Sequence, residues 1–462
     1  MRFLRSNQLW LGTSSEESHR EKNPQIRELL EISKILDECP GMEEVYSRVL
    51  LNLVGKKRTD SGKTGLTAEQ ALRAALVKEK LDVGYRDLEF HLRDSLSLRE
   101  FVRLEPMKFP KKSVLNRDIR LISEETWELF NECTKKYAKS KGMELGQRVR
   151  SDTTVTETNI HHPTDSQLLC DCVRVLTRLM SQASGRLPGL QLEYRDHNRR
   201  AKSRLYNINN TKKSAVRREQ YRDLIKVTEH TRDYAMKAYG ELQKYEAPDV
   251  LSGALCDSFT ADIKRYWELT EQVIDQSIRR VLNGEEGPVE DKAVSIFEPQ
   301  TDIIQKGGRE TLFGHKVCLT SGRSGLILDC MILEGNPADS SLVATLIGRH
   351  ENSYGAVPEQ MAFDGGFASV NNRDKAKELG VTDIVFSKTK GMETETLARS
   401  TRVFKLLSKF RAGIEAGISA LKRSYGFGRV LAKGWRAFKN SLLNGVAAFN
   451  LTLIARYQLA RA

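Results

Sequence analysis

The sequence predicts an α/β core that is interrupted by an all-helical insertion and preceded by an all-α N-terminal domain. Three observations lead there. A run rich in Val and Thr, from Arg148 to Thr158, has strand texture. After residue 310, short apolar runs alternate with amphipathic stretches of helix length, the pattern of strands joined by helices. Between these regions, residues 167–308 carry helical periodicity and little else. The expected divisions are 1–140 for the helical domain, 141–166 with 309–462 for the core, and 167–308 for the insertion and its connector.

Composition narrows the class of partner. The chain has 462 residues and a formal charge of +13, so a polyanion is favoured, because each phosphate neutralised releases condensed counter-ions. No membrane partner is expected. The most apolar tract, Ser441 to Ala455, contains Asn444 and Asn450 and is too short to span, and Met1 to Arg20 is too polar for a signal peptide. Seven scattered cysteines, an odd number, point to reduced thiols and a cytoplasmic setting. Cys170 and Cys172 lack the second ligand pair that a structural zinc site needs.

Taken in order, the first helix is capped by Asn23 with Pro24 in its first turn, and Pro40 and Gly41 end it. A second helix through Val45, Val49 and Leu53 runs into Gly55 to Gly65. There Gly62, Lys63 and Thr64 imitate the end of a phosphate-binding loop, but Gly55 lies too far back for the required spacing, so the stretch is a linker. Thr67 and Gln70 form a capping-box pattern for a helix that yields near Asp82. Helices at 85–92 and 98–104, with Arg86, Arg93, Arg99 and Arg103 expected on the surface, suit either a helix-turn-helix-like DNA reader or a packing and dimerisation bundle. A helix over 123–139 closes the domain.

Asp152 stands in the middle of the 148–158 strand, where an acid is disfavoured. Alternation puts it on the face of Thr154 and Thr156, and an edge-strand surface charge is the plainest reading of it in isolation. His161 and His162 read as loop contacts ahead of a helix capped at Thr164. In the insertion, residues 195–226 hold eleven Lys or Arg against three acids, with Tyr194, Tyr206 and Tyr221 nearby. Such a run is commonly a solvated face. With its tyrosines it is also a candidate phosphate-tracking surface, in which Arg199, Arg200, Lys212 and Lys213 are the proposed contacts. A long helix from Phe259 ends at Gly284, and 285–308 is a connector.

Strands at 311–320 and 326–333 form a hairpin, a helix follows Asp339, and the apolar run Gln360 to Phe363 ends at Asp364, ahead of Gly365 and Gly366. In open α/β sheets, sites form at such carboxyl ends of strands. A helix at 368–379 and a strand at 384–386 lead to the helix that carries Glu415. From Thr396 to the end of the sequence Glu415 is the only acid, and residues 401–462 set twelve Lys or Arg against it. Leu407, Phe410, Ile414, Ile418 and Leu421 form a buried stripe with Glu415 at its edge, while Gly413 and Gly417 suggest that something approaches the helix closely. A simple pairing of Glu415 with Arg411, one turn back, is the alternative role for this acid.

With the insertion removed, this element order is that of a ribonuclease-H-like fold, whose carboxylates lie on the first strand, after the fourth and on a late helix. Arg411, Glu415 and Lys422 reproduce an R-x3-E-x6-K signature, and SDTTVTETNIHHPTDS around Asp152 and FDGGFAS around Asp364 add context. On these residues the chain resembles the DDE transposases of bacterial insertion sequences, in particular the ISNCY-type group, over the N-terminal helices and nearly all of 147–450. Ser408 stands where those families usually have a tyrosine.

The resemblance implies two Mg2+ ions, replaceable by Mn2+, with Asp152 and Asp364 contacting both and Glu415 one. Arg411 and Lys422 would grip phosphate near the cleaved bond, and Arg423, Tyr425, Arg429, Lys433 and Arg436 would extend the DNA surface. Implied partners are double-stranded element ends and target DNA, bound by a homodimer or higher multimer associated with the bacterial or archaeal nucleoid. Two other readings remain open: a ribonuclease-H-like nuclease without strand transfer, and an inactive transposase-derived DNA-binding protein.

Overall fold

The computed structural model describes residues 3–5, 23–55, 65–105, 108–285, 288, 292–306 and 310–461. The imitation phosphate loop at 56–64 and the Gly307–Gly308 pair lie outside the described residues. The chain divides into two compact units, one made of 1–158 with 314–462, the other of 159–313.

Among the described residues of the first unit, seven helices precede the sheet: α1 (Pro24–Glu38), α2 (Met42–Val54), α3 (Ala68–Leu81), α4 (Tyr85–Asp94), α5 (Leu96–Val102), α6 (Lys112–Leu121) and α7 (Glu124–Ser140). Local chemistry sets their starts. The Asn23 side chain accepts from the amides of Gln25 and Ile26, and Thr67 and Gln70 exchange both bonds of the capping box. α6 was not expected from the sequence.

The sheet contains β1 (Arg148–Thr158), β3 (Glu310–Gly322), β4 (Ile327–Ile332), β5 (Gln360–Phe363), β6 (Asp383–Phe386) and β7 (Arg429–Val430), with β2 (Asp302–Lys306) paired to the start of β3. β1 lies between β3, antiparallel, and β5, parallel; β6 continues in parallel beyond β5, and β4 pairs antiparallel with β3. The edge-strand reading of Asp152 is therefore corrected: β1 is central, and both of its faces are covered. Val149, Met361 and Phe363 join a core with the N-terminal helices. Val317 and Leu319 join a second core with Ile414 and Leu421 of α15 (Thr401–Ser424) and Phe438 of α16 (Trp435–Leu459). Two further helices, α12 (Val343–Tyr354) and α13 (Val370–Glu378), make the β4–β5 and β5–β6 crossovers, and the short α14 (Thr394–Leu397) precedes α15.

The boundary expected at residue 140 does not separate compact units. α16 is buried along most of its length and packs against α1, α3 and α7, so the N-terminal helices share one hydrophobic core with the sheet. Its asparagines serve that contact: Asn440 donates to the Ile122 carbonyl, Asn444 to that of Ala75 and Asn450 to that of Ile327. Two of the four arginines expected on the surface of this region are likewise tied inward. Arg103 pairs with Asp37 and Glu69, and Arg99 lies over the Phe109 ring.

The second unit is helical, with α8 (Asp165–Arg186), α9 (Asn198–Asn210), α10 (Ser214–Gln243) and α11 (Val250–Ser277), the last continuing as a π-helical turn to Gly284. It has its own core, built from residues such as Leu169, Leu176, Leu224, Phe259 and Ile263. All seven cysteines are unpaired thiols, and Cys170 and Cys172 are buried core residues.

Candidate active site

Asp152 owes its position to β1. Its antiparallel partner is Leu319, and residues directly opposite in such a pair share a face. Leu319 packs with Ile414 and Leu421, so Asp152 is on the side of the sheet covered by α15. Arg150, two residues back and on the same face, confirms this. Its guanidinium donates to the Phe410 carbonyl at 2.6 Å and to Ser321 at 2.9 Å, and it sits 4.5 Å from the Phe410 ring centre. The close approach anticipated at Gly413 is this contact, since a Cβ there would come within 2.1 Å of Arg150 Nη1. Gly417 faces open space.

In the parallel pairing of β1 with β5, Ser151 is opposite Phe363. One step further along both strands are Asp152, midway along β1, and Asp364, just past the end of β5, on strands spaced about 4.8 Å apart. Asp364 precedes a 3-10 turn, and the Ser387 hydroxyl, at the end of the next parallel strand, donates to its Oδ1 at 2.6 Å. Partial burial pushes the Asp364 carboxyl up. The Ser387 hydroxyl, the Gly365 amide and the charges of Arg411 and Lys388 more than offset this and hold it below the usual carboxylate range.

α15 brings the third acid. Ser400 caps the helix on the Val403 amide, and Leu407, Ile414 and Leu421 bury its inner stripe. Glu415 is at the edge, its side chain 62% exposed. Arg411 Nη1 lies 3.2 Å from Glu415 and 3.6 Å from Asp364, so one guanidinium bridges the two carboxylates. The helix pairing weighed from sequence is thus present, and it extends to Asp364. Ser408 donates to the Phe404 carbonyl within the helix at 2.9 Å.

Among the described residues, no group of three or more His, Cys, Asp and Glu side chains stands ready to hold a metal ion. Asp364 and Glu415 instead share the Arg411 guanidinium. The donor set itself fits a hard divalent cation: carboxylate oxygens, one of them kept ionised, on two neighbouring strands and a facing helix.

The other expected contacts differ in character. Lys422 is half-buried, whereas Arg423, Arg429, Lys433 and Arg436 are exposed. Tyr425 is half-buried, its ring packed edge-on against Phe449 where the chain turns inward after α15. Arg199, Arg200, Lys212 and Lys213 are exposed on the helical unit, where Arg200 shares Asp223 with Arg204. His161 and His162 are exposed in a loop, His162 against Phe313. Sequence reasoning missed Arg150, Ser387 and Lys388. Alternation from Asp152 would have found Arg150, and the end of the strand beside the one ending in Asp364 would have found the other two.

Residues 289–451 match the family model described as transposase DDE domain. No curated protein and no solved structure matches the chain. The matched stretch contains Asp364, Arg411, Glu415 and Lys422, and it supports a DDE transposase.

Proposed function

We propose that the chain is the transposase of an insertion sequence, which binds terminal inverted repeats, cleaves at the element ends and joins the freed 3'-hydroxyls to target DNA. The observation that carries this reading is the arrangement of Asp364, Arg411 and Glu415 beside the central strand that holds Asp152. The strand order β4-β3-β1-β5-β6, antiparallel only at β3, supports a ribonuclease-H-like core.

Asp152, Asp364 and Glu415 would hold two Mg2+ ions, which supply activation of the attacking water or hydroxyl and stabilisation of the leaving oxygen. Asp364, ionised through Ser387 and the Gly365 amide, offers a ready ligand. Arg411 offsets one of the two negative charges of Asp364 and Glu415 and holds both carboxylates when no cation does so. With the carboxylates engaged by a cation, the planar fork of Arg411 would be available to a DNA phosphate. Lys422 adds a point charge about three turns further along the helix from Arg411, and Arg423 and Arg429 continue the basic surface. Synapsis of two ends requires a multimer, and a nucleoid-associated, cytoplasmic protein fits this role.

The test is Mg2+-dependent cleavage and joining of DNA that carries the inverted repeats flanking the gene. Asp364→Asn, with unchanged circular dichroism, is expected to lose activity by roughly 10³-fold or more. Cleavage that persists in this variant would remove the metal assignment. Cleavage without joining in the unaltered protein would instead favour the nuclease reading.

A further inference from the structure

The helical unit contains a cationic cavity of about 380 Å³ at the start of α9. We infer that this cavity is a binding site for a phosphodiester group of a DNA backbone, gripped by Arg195, Arg199 and His197 against a fixed wall of Arg200 and Arg204. The inference rests on the reading of the chain as a protein that acts on DNA.

Four guanidinium groups line the cavity. Arg200 and Arg204 both bind the Asp223 carboxylate of α10, which fixes them in place. Arg195 and Arg199 have no ion pair among the described residues. Asp196, the only acid in the wall, accepts the Asn198 amide at 2.7 Å in an Asx-type turn just ahead of α9. Four guanidiniums against Asp196 and Asp223 leave a formal excess of two positive charges. An anion with rigid, planar donors around it is what such a wall recognises.

His197 is an independent pointer. It lines the cavity and is only 8% exposed. Its Nδ1 lies 3.4 Å from the Thr231 hydroxyl, which already donates to the Val227 carbonyl at 2.9 Å. Thr231 must therefore accept, so Nδ1 carries the proton and Nε2 is left without a hydrogen-bond partner among the described residues. Burial, together with the charges of His230, Arg195 and Arg200, holds the imidazole below its ordinary range, and Asp196 opposes this only in part. Tyr234 is its other ring neighbour, with centroids 6.0 Å apart. A phosphate in the cavity reverses the balance: its negative charge favours protonation of Nε2, which then donates to it.

The cavity is also placed for a chain rather than a lone ion. Arg199, Ser203 and Tyr206 recur at helical spacing along one face of α9, and Tyr206 is 68% exposed, an uncovered aromatic surface roughly 10 Å along the helix from Arg199. Exposed Lys202, Lys212 and Lys213 extend the positive field.

The experiment follows the His197 ring by NMR in the full-length chain, labelled at histidine and carrying Asp364→Asn so that DNA is not cut. The signal is assigned with His197→Gln. Duplex DNA of unrelated sequence and inorganic phosphate are titrated separately at equal ionic strength. DNA is expected to raise the His197 pKa by about one unit. Arg195→Gln with Arg199→Gln should weaken DNA binding roughly tenfold or more and lower its salt slope by about 2, with circular dichroism unchanged. An unchanged His197 titration at saturating DNA overturns the proposal. So does a response to inorganic phosphate alone, with DNA affinity the same in the double variant. A DNA-induced His197 shift in a protein whose unaltered form cleaves no element ends would uphold the cavity and sink the transposase reading.

Discussion

At the scale of single residues, Arg411 decides how the candidate site is read. A carboxylate exposed at a helix edge gains little from an ordinary i, i+4 pair, since such surface pairs contribute about 0.3–0.5 kcal/mol. Arg411 does more because it also reaches Asp364, on a different element. Removing it takes away one of the influences that lower the Asp364 pKa, so Arg411→Gln should move that pKa upward, as should Ser387→Ala. Carboxyl carbon NMR of Asp364 reads both shifts, and no movement in either variant would show that the contacts do not couple. His350 gives a pH dependence of the same sign from a different cause, burial of a neutral ring. Burial, reinforced by Lys135, lowers its pKa to about 4, while an unfolded chain leaves it near 6.5. The folded state then binds fewer protons than the unfolded one between these values. Stability is fully present above pH 6.5 and is lost as pH falls toward 4, by about 2–3 kcal/mol at pH 4.5. Urea unfolding at pH 7 and 4.5 should show a smaller loss in His350→Gln than in the unaltered protein; equal losses would assign the acid sensitivity elsewhere.

At the scale of elements, α15 links sheet, site and basic surface, and its two glycines separate the reasons a helix tolerates them. Gly413 is required by the Arg150 guanidinium, which is anchored on both Phe410 and Ser321 and has little room to retreat. Gly413→Ala should therefore destabilise the protein by about 1–3 kcal/mol, the cost of overpacking. Gly417 meets nothing within 4 Å, so Gly417→Ala should add up to about 1 kcal/mol through helix propensity alone. Thermal denaturation of the two variants checks the contrast, and equal effects would mean that Arg150 yields freely. In the sequence both glycines read alike, because helical periodicity reports a face and not which distant side chain lies across it. β7 was illegible for a related reason. Two residues are too few to carry a pattern, and only their pairing with Glu157 and Thr158 makes them a strand.

At the scale of the whole molecule, the chain departs from β1 and pairs back onto it in β3, where Glu157 is opposite Gly314. The two ends of the excursion are thus neighbours across an antiparallel ladder, and a short Asn-Gly turn can join them. Replacing 159–313 by such a turn should leave a cooperatively folding first unit. The isolated segment should fold as a helical bundle on its own core. Urea transitions followed by circular dichroism test both, and an unfolded first unit would show that the excursion is needed for its stability. The sequence by itself determined what depends on near neighbours. The limits of β1, β5 and most helices follow from alternation, periodicity and capping residues, and Asp152, Asp364 and Glu415 stand out as candidates through their local contexts. The tertiary structure alone decided that β1 is central, that Arg99, Arg103 and Tyr425 turn inward, and that the N-terminal helices share a core with the sheet. It also decided that Arg411 reaches Asp364. These outcomes depend on contacts between residues tens to hundreds of positions apart, and periodicity along the chain carries no record of which buried faces meet.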